Sequence, residues 1–136
     1  SSLTTSYIPS YAFLCSHGKY AILEVNYRGS IGFGQKNIES LTGNIGKQDV
    51  SDCVQATKAA IETGLVDGNR VGVCGGSHGG FLSGHLIGQF PDIFRVAAMR
   101  NPVTNIASMV TATDIPDWCY VEGFGVGSYD WGSFQP

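Results

Sequence analysis

A chain of 136 residues has the length of one domain, and 43% hydrophobic residues against 14% charged excludes a disordered chain. The 8 Lys and Arg against 11 Asp and Glu leave a net charge of −3, so no basic face exists to neutralise phosphates and nucleic-acid binding is excluded. No apolar run reaches the roughly 18 residues of a membrane span, and residues 1–20 do not read as a signal peptide, so a cytoplasmic protein without a membrane partner is expected.

The cysteines, Cys15, Cys53, Cys74 and Cys119, match neither zinc-ligand pairs nor a dense disulfide framework. Reduced thiols are expected, with no metal and no cofactor. The 19 glycines follow no linker or collagen period and sit between apolar runs, as tight turns require.

In chain order, residues 9–17 predict a short helix with Pro9 in its first turn and Gly18 as a left-handed stop. Tyr20–Val25 then reads as a strand ended by the turn at Arg28, Gly29 and Ser30. A second helix is expected from Asp49, whose carboxylate can take free backbone N–H groups, through Val50, Cys53, Val54, Thr57 and Ile61 to Gly64. After the Asp67-Gly68-Asn69 turn, Arg70–Cys74 reads as a buried strand that leaves through Gly75-Gly76-Ser77-His78-Gly79-Gly80 into a third helix, and Arg95–Met99 as the next strand. Strands alternating with helices imply an α/β fold with parallel pairing. Such strands bury both faces, so further strands are expected beside them, which also accounts for the low charge; the chain reads as a piece of a wider fold, truncated at both ends.

The chemistry lies in Gly75-Gly76-Ser77-His78-Gly79, which matches the nucleophile elbow Gly-x-Ser-x-Gly with a strand before it and a helix after it. The serine of such a turn sits in a strained conformation, and a Cβ at either flanking glycine, Gly75 or Gly79, is expected to collide with neighbouring chain. The His78 N–H, at the start of the helix, is the expected oxyanion donor, while the His78 side chain points away from Ser77 Oγ. The plainer alternative is a flexible glycine turn. A phosphate-binding loop is disfavoured because no Gly-x-Gly-x-x-Gly or Gly-x4-Gly-Lys-Ser/Thr pattern occurs.

Gly80, Gly84 and Gly88 form a smooth stripe that would let the third helix lie close to the sheet. His85 is about two helical turns, roughly 10–12 Å, from Ser77 and reads as structural; His17 reads as a surface or helix-end residue. No histidine follows His85, whereas hydrolases with this elbow take their acid and then their histidine from downstream of the serine. Asp92, Asp114, Asp117 and Asp130 follow the serine and any could be argued as that acid, but Asp92, Asp114 and Asp117 read better as turn or cap residues. The chain alone is therefore expected to be inactive.

Five blocks carry a resemblance: Val25–Gln35 (VNYRGSIGFGQ), Gly43–Val50 (GNIGKQDV), the elbow at 75–80, Arg100–Met109 (RNPVTNIASM) and Thr113–Cys119 (TDIPDWC). Together they resemble the acylaminoacyl-peptidase branch of the prolyl oligopeptidase family of serine peptidases. The resemblance implies a partial α/β-hydrolase catalytic domain over residues 1–122, with 123–136 as a divergent glycine and aromatic tail. It further implies Ser77 as the catalytic residue, the His78 N–H in the oxyanion hole, and Gly75, Gly76, Gly79 and Gly80 as the elbow. Val103, Met109 and Trp118 are implied for the substrate pocket, and short N-acylated peptides as substrates. The parent of such a chain would be homo-oligomeric and carry a β-propeller. Two other readings stay open: a carboxylesterase on the same fold, and a non-catalytic fragment that binds the parent's subunits.

Overall fold

The computed structural model describes residues 2–125, 127 and 129–134. Helix α1 (Pro9–Ser16) begins on proline as expected, since a first-turn residue needs no N–H partner. Its stop differs: Lys19, not Gly18, takes the positive φ of 55°. Gly18 is instead a close approach, where a Cβ would stand 2.6 Å from the Tyr20 ring.

The apolar run Tyr20–Val25 forms no strand among the described residues. An apolar run reports a tendency to be buried, whereas a strand also needs a neighbour's N–H and C=O groups. Here Tyr20, Ile22 and Leu23 are exposed, while Val25 and Tyr27 pack against the core. The segment is tied down by Tyr20 N–H to the Leu14 carbonyl (3.2 Å) and by the Asn26 side chain, which bonds the Leu3 backbone at 2.7 and 3.0 Å.

After a short helix α2 (Gln35–Glu39), helix α3 (Gln48–Glu62) starts one residue before Asp49. Strand β1 (Val71–Gly76), helix α4 (His78–Gln89) and strand β2 (Phe94–Arg100) follow in the predicted order, but β1 is not the buried strand expected at 70–74: none of its residues is buried, and Gly72 and Cys74 are exposed on the face turned from α4. The strands are parallel, paired from Val71 with Phe94 to Gly76 with Arg100, with a register irregularity between Val71 and Gly72. Helix α4 lies against both strands and α3 against α4.

The core is where these elements meet: Val50, Cys53 and Val54 of α3, Leu82 and Leu86 of α4, and Phe94 of β2, each no more than 8% exposed. Spacings of three and four put the α3 and α4 residues on one helical face, and burying each large side chain contributes roughly 1.5–3 kcal/mol. Opposite this packed side, Gly72, Cys74, Val96 and Ala98 are exposed. Burial, followed by the charges of Asp49 and Asp52, pushes the Cys53 thiol up to about 11, whereas Cys15 and Cys74 are free and exposed.

Besides α2, two further α-helices were not read from the sequence. Helix α5 (Ile106–Ala112) is capped by Asn105, whose Oδ1 accepts from the Ser108 N–H at 2.9 Å, and α6 (Pro116–Phe124) opens on proline with Asp117 in its first turn. They pack on each other. A 3-10 turn covers Trp131–Phe134. No helix among the described residues is long and apolar enough to cross a membrane.

A bidentate ion pair fastens the 26–30 segment to α3. The Arg28 guanidinium meets Asp52 at 2.7–3.1 Å, and the Arg28 N–H adds a bond of 2.9 Å. Burial alone would raise the Asp52 carboxyl, but the hydrogen bonds and charge of Arg28 outweigh it and hold the group below its ordinary value of 3.8. A carboxyl lowered by folding stabilises above its unfolded value and loses that contribution as pH falls through the folded one. Asp52→Asn is thus expected to lower the urea midpoint near pH 7 and to converge on the parent near pH 2. Equal deficits at both pH values would remove this ion pair from the account of stability.

Candidate active site

Ser77 joins β1 to α4 and is exposed, with φ 55° and ψ −120°. A non-glycine residue in such a conformation costs of the order of 1–3 kcal/mol and persists only when its surroundings dictate it. Three backbone bonds do so. The Ser77 N–H donates to the Arg100 carbonyl (3.1 Å), and the Ser77 carbonyl accepts from the N–H groups of Phe81 (3.1 Å) and Val103 (3.4 Å).

The glycines around it differ in purpose. A Cβ on Gly75 would overlap the Gly79 carbonyl, and one on Gly80 would stand 2.8 Å from Pro102 Cα, so both let backbone approach backbone. On Gly76 it would meet the Arg100 guanidinium at 3.4 Å, which is ordinary contact. The expected collision at Gly79 is absent: outside the helix's own backbone nothing lies within 4 Å of where its Cβ would stand, so the close approach at this turn is made by Gly75 alone of the two. The stripe is likewise only partly used. Gly84 lies 3.6 Å from Met99 Sδ by the same measure, and Gly88 faces open space near the end of α4.

The His78 N–H opens α4 and no acceptor among the described residues takes it. A free N–H beside an exposed hydroxyl, at the positive end of a helix, is positioned to receive developing negative charge. The His78 ring turns away. Its Nε2 lies 3.0 Å from Oδ2 of Asp49, which is fully buried, and Asp49 Oδ1 accepts from the N–H groups of Gly46 (2.8 Å) and Val50 (3.0 Å). Tyr27 stacks on the same ring at 5.7 Å and Phe81 tilts against it at 5.4 Å. Burial and then the Asp49 charge push the Tyr27 hydroxyl up to about 12.

The Asp49–His78 contact joins residues 29 apart in sequence and was missed. Its one visible signal was an acidic residue at a helix start, which reads as a cap.

The other histidines are engaged away from Ser77. His85 packs on Phe81 at 4.3 Å and takes Gln89 Nε2 at 2.6 Å, and His17 bonds Ser16 Oγ at 2.9 Å and stacks on Phe13. Among the described residues no imidazole or carboxylate hydrogen-bonds to Ser77 Oγ. None of them groups three or more His, Cys, Asp or Glu residues as a metal site would.

An open hollow of about 360 Å³ adjoins the elbow, lined by residues including Tyr11, Cys74, Gly76, Met99 and Arg100. Of the expected pocket residues, Val103 reaches the site through its N–H on Ser77, while Met109 and Trp118 are half-buried on α5 and α6. None of the three lines this hollow.

A strained, exposed serine between a parallel strand and a helix, backed by a free N–H, defines the nucleophile-elbow class of α/β-hydrolases. The comparisons bear on family and fold. Residues 6–133 match the prolyl oligopeptidase family model, and this chain belongs to that family. It is 57% identical over 121 residues to acylamino-acid-releasing enzyme 1 of Oryza sativa subsp. japonica, covering 89% of this chain and 16% of that protein. It is 53% identical over 129 residues to the human acylamino-acid-releasing enzyme, covering 94% of this chain and 18% of the other. The chain thus spans less than a fifth of the length of these relatives. Among solved structures, a Mycobacterium tuberculosis puromycin-hydrolyzing peptidase superposes with a TM-score of 0.68 at 29% identity, covering 82% of this chain and 18% of that one. The Pyrococcus horikoshii acylaminoacyl peptidase, at 22% identity and a TM-score of 0.69 over 82% of this chain and 19% of its own, supports the fold alone.

Proposed function

We propose that Ser77 is the nucleophile of a serine peptidase that releases an N-terminal acylamino acid from short N-acylated peptides through an acyl-enzyme. The observation that carries this reading is the Ser77 geometry: an exposed hydroxyl at φ 55° between β1 and α4, next to the free N–H of His78. Attack of Oγ on the acylamino-acid carbonyl puts negative charge on its oxygen, and the His78 N–H is the donor placed for it. The proton of Oγ needs an acceptor, and none of His17, His78 or His85 is placed to take it. These residues therefore act within a longer polypeptide that supplies an acid and a histidine, and the 136 residues alone do not turn over.

The names of the relatives support the substrate class. The same reading places Val103, Met109 and Trp118 in the wall of the acylamino-acid pocket. It treats 1–122 as hydrolase domain and 123–136 as a divergent tail on composition, and it puts the protein in the cytoplasm, within a homo-oligomer whose subunits carry a β-propeller, on resemblance. The experiment compares an acetylamino-acid p-nitroanilide with a simple aryl ester in the longest natural polypeptide carrying these residues. Turnover of the anilide is expected; turnover of the ester alone would make the protein an esterase instead.

A further inference from the structure

We infer that Asp49 and the His78 side chain form a positioning clamp for the oxyanion donor, so that one residue serves the site through its amide and is held in place through its ring. This rests on Ser77 being the nucleophile. The His78 N–H and the His78 imidazole leave the same Cα, and only the imidazole is bonded, to a carboxylate with no exposed surface. A carboxylate only accepts, so Nε2 donates, and with Tyr27 on one side and Phe81 on another the ring has little freedom to turn.

Asp49 is itself immobilised. Its second oxygen is occupied by the N–H groups of Gly46 and Val50. Among the described residues no Lys or Arg pairs with it, and His78 is its one side-chain hydrogen-bond partner. Gly46 brings the loop down onto α4: its φ is 79°, and a Cβ there would come within 3.1 Å of Phe81 and 3.7 Å of His85. The start of α3, the loop before it and the first residue of α4 are thereby locked together, and the locked residue carries the N–H beside Ser77. An oxyanion donor works by being in place before charge develops, and a displacement of about 1 Å is enough to lose much of its effect. The hydrogen bonds of Asp49 go to Gly46, Val50 and His78 and not to Ser77, so it is a positioning residue.

The test uses the longest natural polypeptide carrying these residues, with an acetylamino-acid p-nitroanilide as substrate and a fluorophosphonate as the covalent probe. His78→Phe keeps a ring between Tyr27 and Phe81 but removes the donor to Asp49. It is expected to lower kcat and the labelling rate by roughly 10- to 100-fold with KM within about twofold. Asp49→Asn, which can still hydrogen-bond the ring, is expected to keep most of the activity, and the double variant Asp49→Ala/His78→Phe to be no worse than either change alone, as for groups that act as one unit. A merely structural contact would lower Tm and shift KM together and leave the kcat of the folded fraction intact; that result, or parental labelling in His78→Phe, overturns the clamp while leaving Ser77 as nucleophile. Labelling that survives Ser77→Ala overturns the nucleophile reading and the clamp with it.

Discussion

Alanine at position 77 is expected to abolish fluorophosphonate labelling and to lower turnover of an acylated substrate by at least roughly 10³-fold in a polypeptide that supplies the rest of the triad. The loss comes from one oxygen atom, because the three backbone bonds that hold this residue are made by its N–H and C=O and survive the change. Glycine at the same position separates strain from chemistry. With φ at 55°, any side chain at residue 77 is held in a conformation that glycine adopts freely. Ser77→Gly is therefore expected to be as inactive as the alanine variant and more stable than the parent by about 1 kcal/mol, read from urea unfolding. A glycine variant less stable than the parent would mean that the elbow stores no strain.

The largest effect on stability is expected at Gly75. Its Cβ would overlap the Gly79 carbonyl, and both atoms belong to backbone fixed by β1 and α4, so neither can yield as a flexible side chain would. Gly75→Ala is expected to cost roughly 3 kcal/mol or more, or to open the turn and so lose labelling at Ser77 in whatever folds. Gly79→Ala is the control, since its Cβ direction is open and alanine suits a helical residue, here in the first turn of α4, better than glycine does. A small gain or no change is expected there. Similar losses at both positions would show that the elbow needs its glycines for flexibility rather than for close approach.

Short-range patterns carried far in this chain. The helix of residues 48–62, the strand–elbow–helix unit around Ser77 and the parallel strand after it are visible because hydrophobic spacing, glycine and proline act over a few residues. Tyr20–Val25 marks the limit of that reasoning. Its residues have strand-like preference, but whether they pair depends on a neighbour that no local pattern encodes. The α5 and α6 segments show a lesser limit: Asn105 and Pro116 are ordinary helix-start residues that read equally well as turn residues.

What could be read without coordinates is the elbow pattern around Ser77, the family resemblance of its surroundings and the fact that no histidine follows His85 in these residues, since each is a property of residue order. What required the folded chain is the fate of the groups beside it. Asp49 reads as a helix cap and His78 as a bystander to its own amide, and neither their contact at 3.0 Å nor the two aromatic rings around it can be inferred from positions 29 apart. The reason is physical: a hydroxyl is exposed by the geometry of its own turn, whereas a buried carboxylate finds its partner only when two separate elements close over it.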